Sequence, residues 1–190
     1  KKGVVRLESL GEIIKGKGIP KSELADDGIP CIRYGELYTR HHRIIRQYFS
    51  FIPSKYVENT VKLEKNDVLF AGSGETISEI GKSAVFIFED EVYAGSDILI
   101  FRSNCMDGLY LGYLMNSQIV RQQLNKYGTG ATVMHIYQDD LKKIQVPNLN
   151  IKEQARIGKK LEVLSSSVKE LNTKIMTSKS LLKSLINQIF

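Results

Sequence analysis

Apolar residues in the last quarter of the chain recur at alternating steps of four and three between positions 157 and 189. This spacing is typical of the heptad seam of a coiled-coil helix, sustained over more than four repeats. No proline interrupts residues 151–190, and Asn150 with Glu153 has the spacing of a capping box. The pattern therefore predicts one helix of roughly 60 Å. Its seam is Ile157, Leu161, Leu164, Val168, Leu171, Ile175, Leu182, Leu185 and Ile189, with Ser178 in the one polar position.

An apolar seam of this length needs a surface that covers it. Val, Ile and Leu mix at the a positions and Leu dominates the d positions, which favours pairing of two helices. The alternative is a helix packed back on its own domain, which is too small to cover the whole seam. The sequence thus predicts that residues 149–190 form a spacer helix through which the chain self-associates as a homodimer.

Residues 1–148 alternate short apolar runs with turns and show no regular strand–helix–strand rhythm. One helix is expected at Leu109–Tyr127, with Gly128 as its C-cap. We expect an α/β fold of the α+β kind, with a curled mixed sheet in residues 1–148. Its strands are predicted at Gly28–Tyr34, Tyr48–Ile52, Asp67–Phe70, Ser83–Phe88 and Ile98–Arg102.

The net charge of +6 is distributed unevenly along the chain. Residues 151–190 carry eight Lys or Arg and three Glu, while basic residues outnumber acidic ones in residues 1–46 and the reverse holds in residues 58–107. A polarised surface of this kind attracts polyanions without a strongly basic whole. An ordinary solvated surface is the alternative.

The two cysteines, Cys31 and Cys105, form no CxxC pattern, which indicates neither a disulfide framework nor a zinc site. The sequence has no apolar run long enough to span a bilayer and does not start with a segment of signal-peptide type. We therefore expect a cytoplasmic protein with reduced thiols, no bound metal and no membrane partner.

The glycine-rich segment Ala71–Ser83 has the appearance of a phosphate-binding loop, but its spacing is wrong. Six residues separate Gly74 from Gly81, where a P-loop has four, and Thr76 stands where the motif needs glycine. Glu75 and Glu79 lie inside the segment and would repel phosphate. Nucleotide binding by a P-loop is therefore excluded.

Phe70–Gly74 also matches the F-x-G-x-G motif of S-adenosylmethionine-dependent methyltransferases. The Asn/Asp-Pro-Pro-aromatic tetrapeptide that an amino-methyltransferase needs is absent, because no two of the four prolines are adjacent. The histidines have no Cys or acid at metal-ligand spacing. The sequence thus favours binding over catalysis and predicts no cofactor, with a methyltransferase as the third-ranked alternative.

The order of segments resembles one half-repeat of the specificity subunit of Type I restriction–modification systems. The likeness covers nearly the whole chain, although the opening Trp and one of two prolines before the helix are missing. The matching segments are Val5–Leu7 with Gly11, Gly16–Ser22, Gly28–Tyr38, Lys65–Phe70, Ser73–Thr76, Ile80–Lys82, Gly128–Thr132, Val146–Pro147, and Glu153–Gln154 with Ile157.

This resemblance implies a non-catalytic subunit in which residues 1–148 are a target recognition domain for double-stranded DNA. The helix would pair antiparallel with a second helix and set the distance between two half-sites. Methyltransferase (M) subunits and a restriction (R) subunit would be the partners. S-adenosylmethionine and ATP would belong to those partners.

Candidate DNA contacts follow from residue type and position. Residues 33–46 hold four Arg, two His and two Tyr against one acid, and Arg can bind guanine or phosphate. Two glycine-rich loops offer close approach of the backbone to DNA, or alternatively a structural turn and a hinge. The expected contacts are Lys15, Lys17, Lys21, Arg33, Tyr34, Tyr38, Arg40, His41, His42, Arg43, Arg46, Ser73, Thr76, Tyr127, Thr129, Thr132 and His135.

The second-ranked function is a coiled-coil protein–protein interaction module without a role on DNA. Salt-dependent DNA affinity distinguishes the two hypotheses, because phosphate contacts release counterions.

Overall fold

The computed structural model describes residues 3–76, 78–128 and 134–190. Short strands and helices in residues 4–147 precede one long helix. The strands are β1 (Val4–Arg6), β2 (Glu12–Lys15), β3 (Ile29–Ile32), β4 (Arg43–Ile44), β5 (Ser50–Ile52), β6 (Val61–Lys62), β7 (Val68–Ala71), β8 (Ser73–Gly74), β9 (Ser83–Val85), β10 (Tyr93–Ala94), β11 (Ile98–Arg102), β12 (Met134–His135) and β13 (Gln145–Pro147). The α-helices are α1 (Glu36–Thr39), α2 (Gly108–Leu114), α3 (Gln118–Tyr127), α4 (Gln138–Lys142) and α5 (Ile151–Ile189), and 3-10 turns lie at Leu7–Ser9, Lys21–Glu23 and Ser54–Asn59.

The central sheet has five strands in the order β2-β11-β7-β9-β4, antiparallel except for the β4–β9 pair. Its two middle strands, β7 and β11, are almost wholly apolar and buried. Alternate residues of a strand point to opposite faces. Val68 and Phe70 accordingly join one hydrophobic cluster, while Leu69 and Ala71 join another on the opposite face. Burial on both faces explains the continuous apolar runs.

A second sheet has the order β5-β3-β10-β6, with a parallel β3–β10 pair, and the two-stranded pairs β1–β13 and β8–β12 complete the architecture. These mixed, short-stranded sheets and the long terminal helix confirm the α/β prediction. The boundary between residues 148 and 149 stays a prediction. In the part of the chain described, no helix is both long and apolar enough to cross a bilayer.

The predicted strand at Ile98–Arg102 matches β11. The other four predicted strands are present but are three or four residues long. The single helix predicted at Leu109–Tyr127 is wrong, because α2 and α3 are separate helices. At the break, the Asn116 amide donates to the carbonyls of Gly112 (2.9 Å) and Ser83 (2.9 Å). Asn116 thus ties the end of α2 to β9.

The helix α5 confirms the terminal helix prediction, and the Asn150 side chain accepts a hydrogen bond from the Glu153 amide at 3.0 Å. Among the residues that the structure describes, only the first four turns of α5 contact the rest of the protein. Ile157 and Leu161 are half-buried there, and Ile157 packs against the main hydrophobic cluster. All residues from 166 to 190 are exposed. The helix therefore packs on its own domain at the base and projects away from it beyond Ser165.

Candidate nucleic-acid interface

The central sheet brings several of the predicted DNA-contacting segments to one of its ends. Lys15 closes β2, Ala71 closes β7 and Arg43 opens β4. Because β2 and β7 both run antiparallel to β11, while β4 runs parallel to β9, these three positions meet at the same end of the sheet. We call this end, together with the turns that leave it, the basic end. It carries Lys15, Lys17, His42, Arg43 and Lys82, against Glu75, Glu79 and Asp97.

The opposite end of the sheet is acidic. Arg102 closes β11 there and binds Asp67 at 2.7 Å and Glu64 at 2.6 Å. The run Glu89–Glu91 follows β9 at the same end. The single basic side chain at its centre is thus neutralised by its own carboxylates. The charge polarity seen along the sequence becomes a polarity across the folded sheet, which directs a polyanion to the basic end.

The one acid in the basic stretch, Glu36, organises that stretch. Its buried carboxylate accepts hydrogen bonds from the Ser50 hydroxyl (2.6 Å) and the Arg33 amide (3.0 Å). Burial opposes ionisation of Glu36, but the nearby His41 ring and these two donors outweigh it and lower the pKa of Glu36. Sequence reasoning counted Glu36 only as a charge against the cluster and missed this role.

His41 is a correction to the predicted contact set. Its side chain is 2% exposed, and its ring lies 5.5 Å from that of Phe49, with Nε2 3.9 Å from the Glu36 carboxylate. A side chain beneath the surface does not reach a base edge. Its neighbours Arg40 and His42 are exposed, and the Arg40 guanidinium stacks over Phe49 at 5.3 Å.

Arg43 has a left-handed backbone, with φ of 65°. The Ile44 amide donates to the His42 carbonyl at 2.8 Å, which closes a tight γ-turn around Arg43. A side chain at Gly112 would stand 2.7 Å from the Arg43 carbonyl oxygen, so glycine is needed where α2 meets this turn. The fixed turn leaves His42 exposed and stacks the Arg43 guanidinium on Tyr113 at 5.6 Å.

Arg46 has a partner within the protein, which the sequence did not reveal. Its guanidinium binds Glu162 of α5 at 2.5 Å, and the Tyr113 hydroxyl donates to the same carboxylate at 2.8 Å. The last residue of the basic stretch is therefore bound to the long helix. This contact attaches Arg46 to α5, while its side chain stays 51% exposed.

The loop after β8 lies beside α1. The rings of Tyr34 and Tyr38 are 6.3 Å apart. Burial, Tyr34 and the carboxylates of Glu79 and Glu75 raise the pKa of Tyr38, with Arg33 acting against them. The Glu79 carboxylate also accepts from the amides of Glu75 (2.9 Å) and Thr76 (3.1 Å) and holds the loop closed. The structure thus brings Arg33, Tyr34, Tyr38 and Thr76 to one neighbourhood.

Ser73 and His135 were predicted from separate loops, and the structure joins them. Their side chains meet at 3.1 Å across the β8–β12 pair, and His135 stacks on Tyr137 at 6.2 Å. Ser73 is buried, and its hydroxyl lies against His135 within the protein. His135 is half-buried on the edge-forming strand β12 of this two-stranded sheet.

The glycines of this segment serve close packing within the protein. A Cβ at Gly72 would stand 2.9 Å from the Asp97 carbonyl oxygen, and one at Gly74 would stand 2.9 Å from the Glu79 Cβ. These contacts are with other parts of the protein, which supports a structural role for the two glycines. Residues 70–74 are all buried, which leaves the methyltransferase-like motif without an open cofactor surface.

The remaining predicted contacts fall into three groups. Tyr127 is half-buried against the main cluster, with the Lys143 ammonium over its ring at 5.3 Å, so its ring serves packing. Lys15 and Lys17 are exposed. Outside the described residues and side chains lie the Lys21 side chain, Thr129 and Thr132.

Two residues missed by the sequence analysis attach the helix base. The buried Gln154 side chain donates to the Leu149 carbonyl (2.8 Å) and accepts from the Asp107 amide (3.0 Å). One turn later, a Cβ at Gly158 would stand 2.6 Å from the Tyr110 amide nitrogen. The lone glycine inside the heptad pattern was the available signal, because glycine in a helix is costly unless close packing requires it.

Solved structures share this architecture. A chain from a structure of complex assembly and conformational transition of the type I R-M system superposes with a TM-score of 0.71 at 19% identity, covering 96% of this chain and 43% of that one. The S subunit of a type I restriction–modification system from M. genitalium gives a TM-score of 0.63 at 15% identity, covering 91% of this chain and 41% of its own.

Sequence comparison points the same way. The type I restriction enzyme MjaVIII specificity subunit of Methanocaldococcus jannaschii is 24% identical over 172 residues, which are 87% of this chain and 40% of that protein. The chain thus spans well under half the length of these relatives. Their name, specificity subunit, agrees with the expectation of a chain that is not itself an enzyme. Residues 1–178 match the family described as the type I restriction modification DNA specificity domain (Methylase_S), and the chain belongs to that family.

Proposed function

We propose that this chain is the DNA-recognition subunit, or part of one, in a type I restriction–modification complex, where it directs methyltransferase subunits to a bipartite site. The polarity of the central sheet carries the proposal. Exposed basic side chains gather at the basic end, beside the place where α5 leaves the domain, while the far end is acidic. DNA would bind across the basic end.

The contacts divide into two kinds by their chemistry. Flexible lysines suit phosphates, which position a protein on DNA, and Lys15 and Lys17 are exposed for that role. Arg40 and His42 lie on either side of a buried histidine in a segment whose backbone is fixed, which suits readout of base edges. Arg33, Tyr34, Tyr38, Thr76 and His135 would complete the surface.

The direct test is DNA binding by the full chain across a series of salt concentrations. We expect affinity that falls steeply with salt, because each neutralised phosphate releases counterions. Lys15→Ala with Lys17→Ala should weaken binding and flatten the salt dependence. Lys65→Ala is the matched control, since this exposed lysine lies at the acidic end and pairs with Glu89 at 2.7 Å. An equal loss of DNA affinity in the double variant and in the control, or a wild-type affinity that does not depend on salt, would refute the proposal.

The helix would pair antiparallel with an equivalent helix, either from a second copy or from the other half of a longer chain. Seven of the nine apolar seam residues, from Leu164 to Ile189, are 47–71% exposed, and a face of that kind is unstable in water without a partner. In an antiparallel pair, a positions face d positions. Leu164 would then meet the partner's Leu182, and Ile175 the partner's Leu171.

Cysteine crosslinking tests this orientation. Cys105 is exposed and is first changed to serine, whereas Cys31 is buried, which raises the pKa of its thiol to about 12 and keeps it unreactive. In that background the double variant Leu171→Cys with Ile175→Cys should form an interchain disulfide. The single variant Ile175→Cys should not, because Ile175 faces its own counterpart only in a parallel pair. Efficient crosslinking of the single variant would contradict the antiparallel arrangement.

The methyltransferase and restriction subunits would dock on the assembled pair. Charged residues of α5 outside the seam are exposed and offer a contact surface: Arg156, Lys159, Lys160, Lys169 and Lys174. Co-purification of methyltransferase subunits with this chain, and its loss when these residues are neutralised, would support the assignment. If the methyltransferase subunits still co-purify with the neutralised variant, the docking surface lies on another part of the chain.

The exposed seam also fits the second function, a coiled-coil module that binds protein alone. That function predicts self-association without salt-dependent DNA binding. The salt series above therefore separates the two functions with one preparation.

A further inference from the structure

The helix α5 is held on the domain at two points. The first is at its base, where Gln154 bonds to the chain around α2 and Gly158 lies against Tyr110. The second is Glu162, which accepts from Arg46 (2.5 Å) and from Tyr113 (2.8 Å). Gln154 and Glu162 are eight residues apart, or about 12 Å along the helix. Two attachments at that separation fix the angle between α5 and the domain, whereas a single attachment would let the helix rotate about it.

Beyond these attachments the helix is a long lever. From Gly158 to Ile189 it extends about 46 Å at 1.5 Å per residue. All residues from 166 onward are exposed, so among the described residues the direction of this part of the helix is set by contacts made before Ser166, which include the packing of Ile157. A tilt of about 10° at the base would move the tip by roughly 8 Å. That displacement is about two base-pair steps along DNA, at roughly 3.4 Å each.

The second attachment has the chemistry of a directional contact. The Glu162 side chain is only 21% exposed and its carboxylate receives both a planar guanidinium and a phenol. Charge-assisted bonds of this kind are short and orient their partners. Burial opposes ionisation of Glu162, but Tyr113 and Arg46 outweigh it and lower the pKa of Glu162. The carboxylate is therefore held charged between its two donors.

The cluster formed by Glu162, Arg46 and Tyr113 extends to the basic end of the sheet. Tyr113 lies under the Arg43 guanidinium, and Arg46 follows Arg43 by three residues in the stretch that carries Arg40 and His42. Helix direction and the position of the candidate DNA-contacting segment are thus linked through one pair of side chains.

We infer that Glu162, with Arg46 and Tyr113, is a positioning residue that fixes the angle of the spacer helix and thereby the gap between half-sites that the protein accepts. This inference rests on the proposed function. It assigns to the cluster a role in specificity that is separate from contact with DNA.

The DNA test uses duplexes that carry two half-sites separated by a graded series of gaps, together with a duplex that carries one half-site. The wild-type chain should bind best at one gap. Glu162→Gln should broaden or shift that optimum by one or two base pairs, while affinity for the single half-site stays within about twofold. Glu170→Gln is the matched control, because Glu170 lies on the projecting part of α5 and pairs only with Lys174 among the ion pairs found (2.7 Å). An unchanged gap optimum in Glu162→Gln would overturn the inference.

A second readout does not depend on DNA. Spin labels on native Cys105 and on Ser184→Cys report the distance from domain to helix tip, with excess unlabelled chain added to suppress distances between labelled copies. Glu162→Gln should broaden or shift this distribution, and the charge-swapped pair Arg46→Glu with Glu162→Arg should restore it. A distribution identical to wild type in Glu162→Gln would refute the positioning role. Failure of the wild type to bind any single half-site would instead refute the proposed function and leave this distance measurement to decide the positioning role.

Discussion

The domain and the projecting part of its helix use the same kinds of apolar residue with opposite outcomes. In the domain, the alternating residues of β7 and β11 fill two clusters and are buried on both faces of one sheet. On α5 beyond Ser165, leucines, isoleucines and valines at heptad spacing stand in solvent. Exposure of so long an apolar face in water is unfavourable, and this is why we propose a partner for the helix.

The helix repeats this contrast along its own length. Ile157 and Leu161 belong to the same seam as Val168 and Ile175, but the first two lean on the domain and the last two are exposed. Packing back on the domain, which was the alternative to pairing, is therefore true of the base alone. A partner helix would begin where the domain stops covering the seam.

The largest expected effect comes from a charge in the exposed seam. Ile175→Asp would bury a carboxylate between helices, so we expect at least a hundredfold loss of association with an unchanged domain. Thr173→Asp, on the outward side of the same turn, is the control. Light scattering over a concentration series measures both, and pairing of Ile175→Asp as tight as wild type would show that the seam is not the contact.

The next effect should come from the base, where the helix belongs to the domain. Gly158→Ala places a Cβ 2.6 Å from the Tyr110 amide nitrogen, so we expect a loss of about 2 kcal/mol in the free energy of unfolding. The same change on an exposed helix face would gain about 1 kcal/mol from helix propensity. Ser180→Ala, on the outward side of the exposed part, is the control in urea unfolding and should not destabilise the chain. If Gly158→Ala instead raises the free energy of unfolding, the base of α5 is not packed closely against Tyr110.

A smaller effect is expected inside the domain at Glu36. In Glu36→Gln, either the Ser50 hydroxyl or the Arg33 amide faces the new side-chain NH2 group instead of an acceptor. This should lower the free energy of unfolding by about 1–2 kcal/mol at neutral pH. Because the folded pKa of Glu36 lies below its ordinary value of 4.5, the wild-type advantage is present above that pH and disappears as the pH falls through the folded pKa. Urea unfolding at pH 7 and at a series of lower pH values should show this convergence. A difference that is constant with pH would contradict the ionised form assigned to Glu36.

The smallest effect is expected for single charges at the basic end. Lys17→Ala should reduce the slope of log affinity against log salt by about one, with a few-fold loss of affinity at low salt. Lys65→Ala at the acidic end should leave the slope unchanged. A slope that is insensitive to Lys17 would remove this lysine from the phosphate contacts.

Features set by local pattern were predictable from the sequence. The apolar run of β11, the heptad seam and the Asn150 cap each depend on neighbouring residues alone, and each is present in the structure. The break between α2 and α3 was not predictable, because it depends on the Asn116 amide reaching β9, more than thirty residues earlier in the chain.

The candidate interface was predicted in outline and corrected in detail. Residue type identified the basic stretch, but the burial of His41 and the capture of Arg46 by Glu162 depend on contacts 5 and 116 residues apart in the chain. A carboxylate such as Glu36 or Glu162 has the same appearance in a sequence whether it repels DNA or holds an arginine in place. The difference is decided by the fold that brings its partner to it.

Recognition of a specific DNA sequence by this chain is tested most directly by selecting bound duplexes from a random-sequence library with the full chain and sequencing them. We expect enrichment of one short sequence and, where two copies pair through α5, its repetition in inverted orientation at a fixed gap. Retention of DNA without enrichment of any sequence, or no retention at low salt, would contradict the assignment of this chain as a reader of DNA sequence.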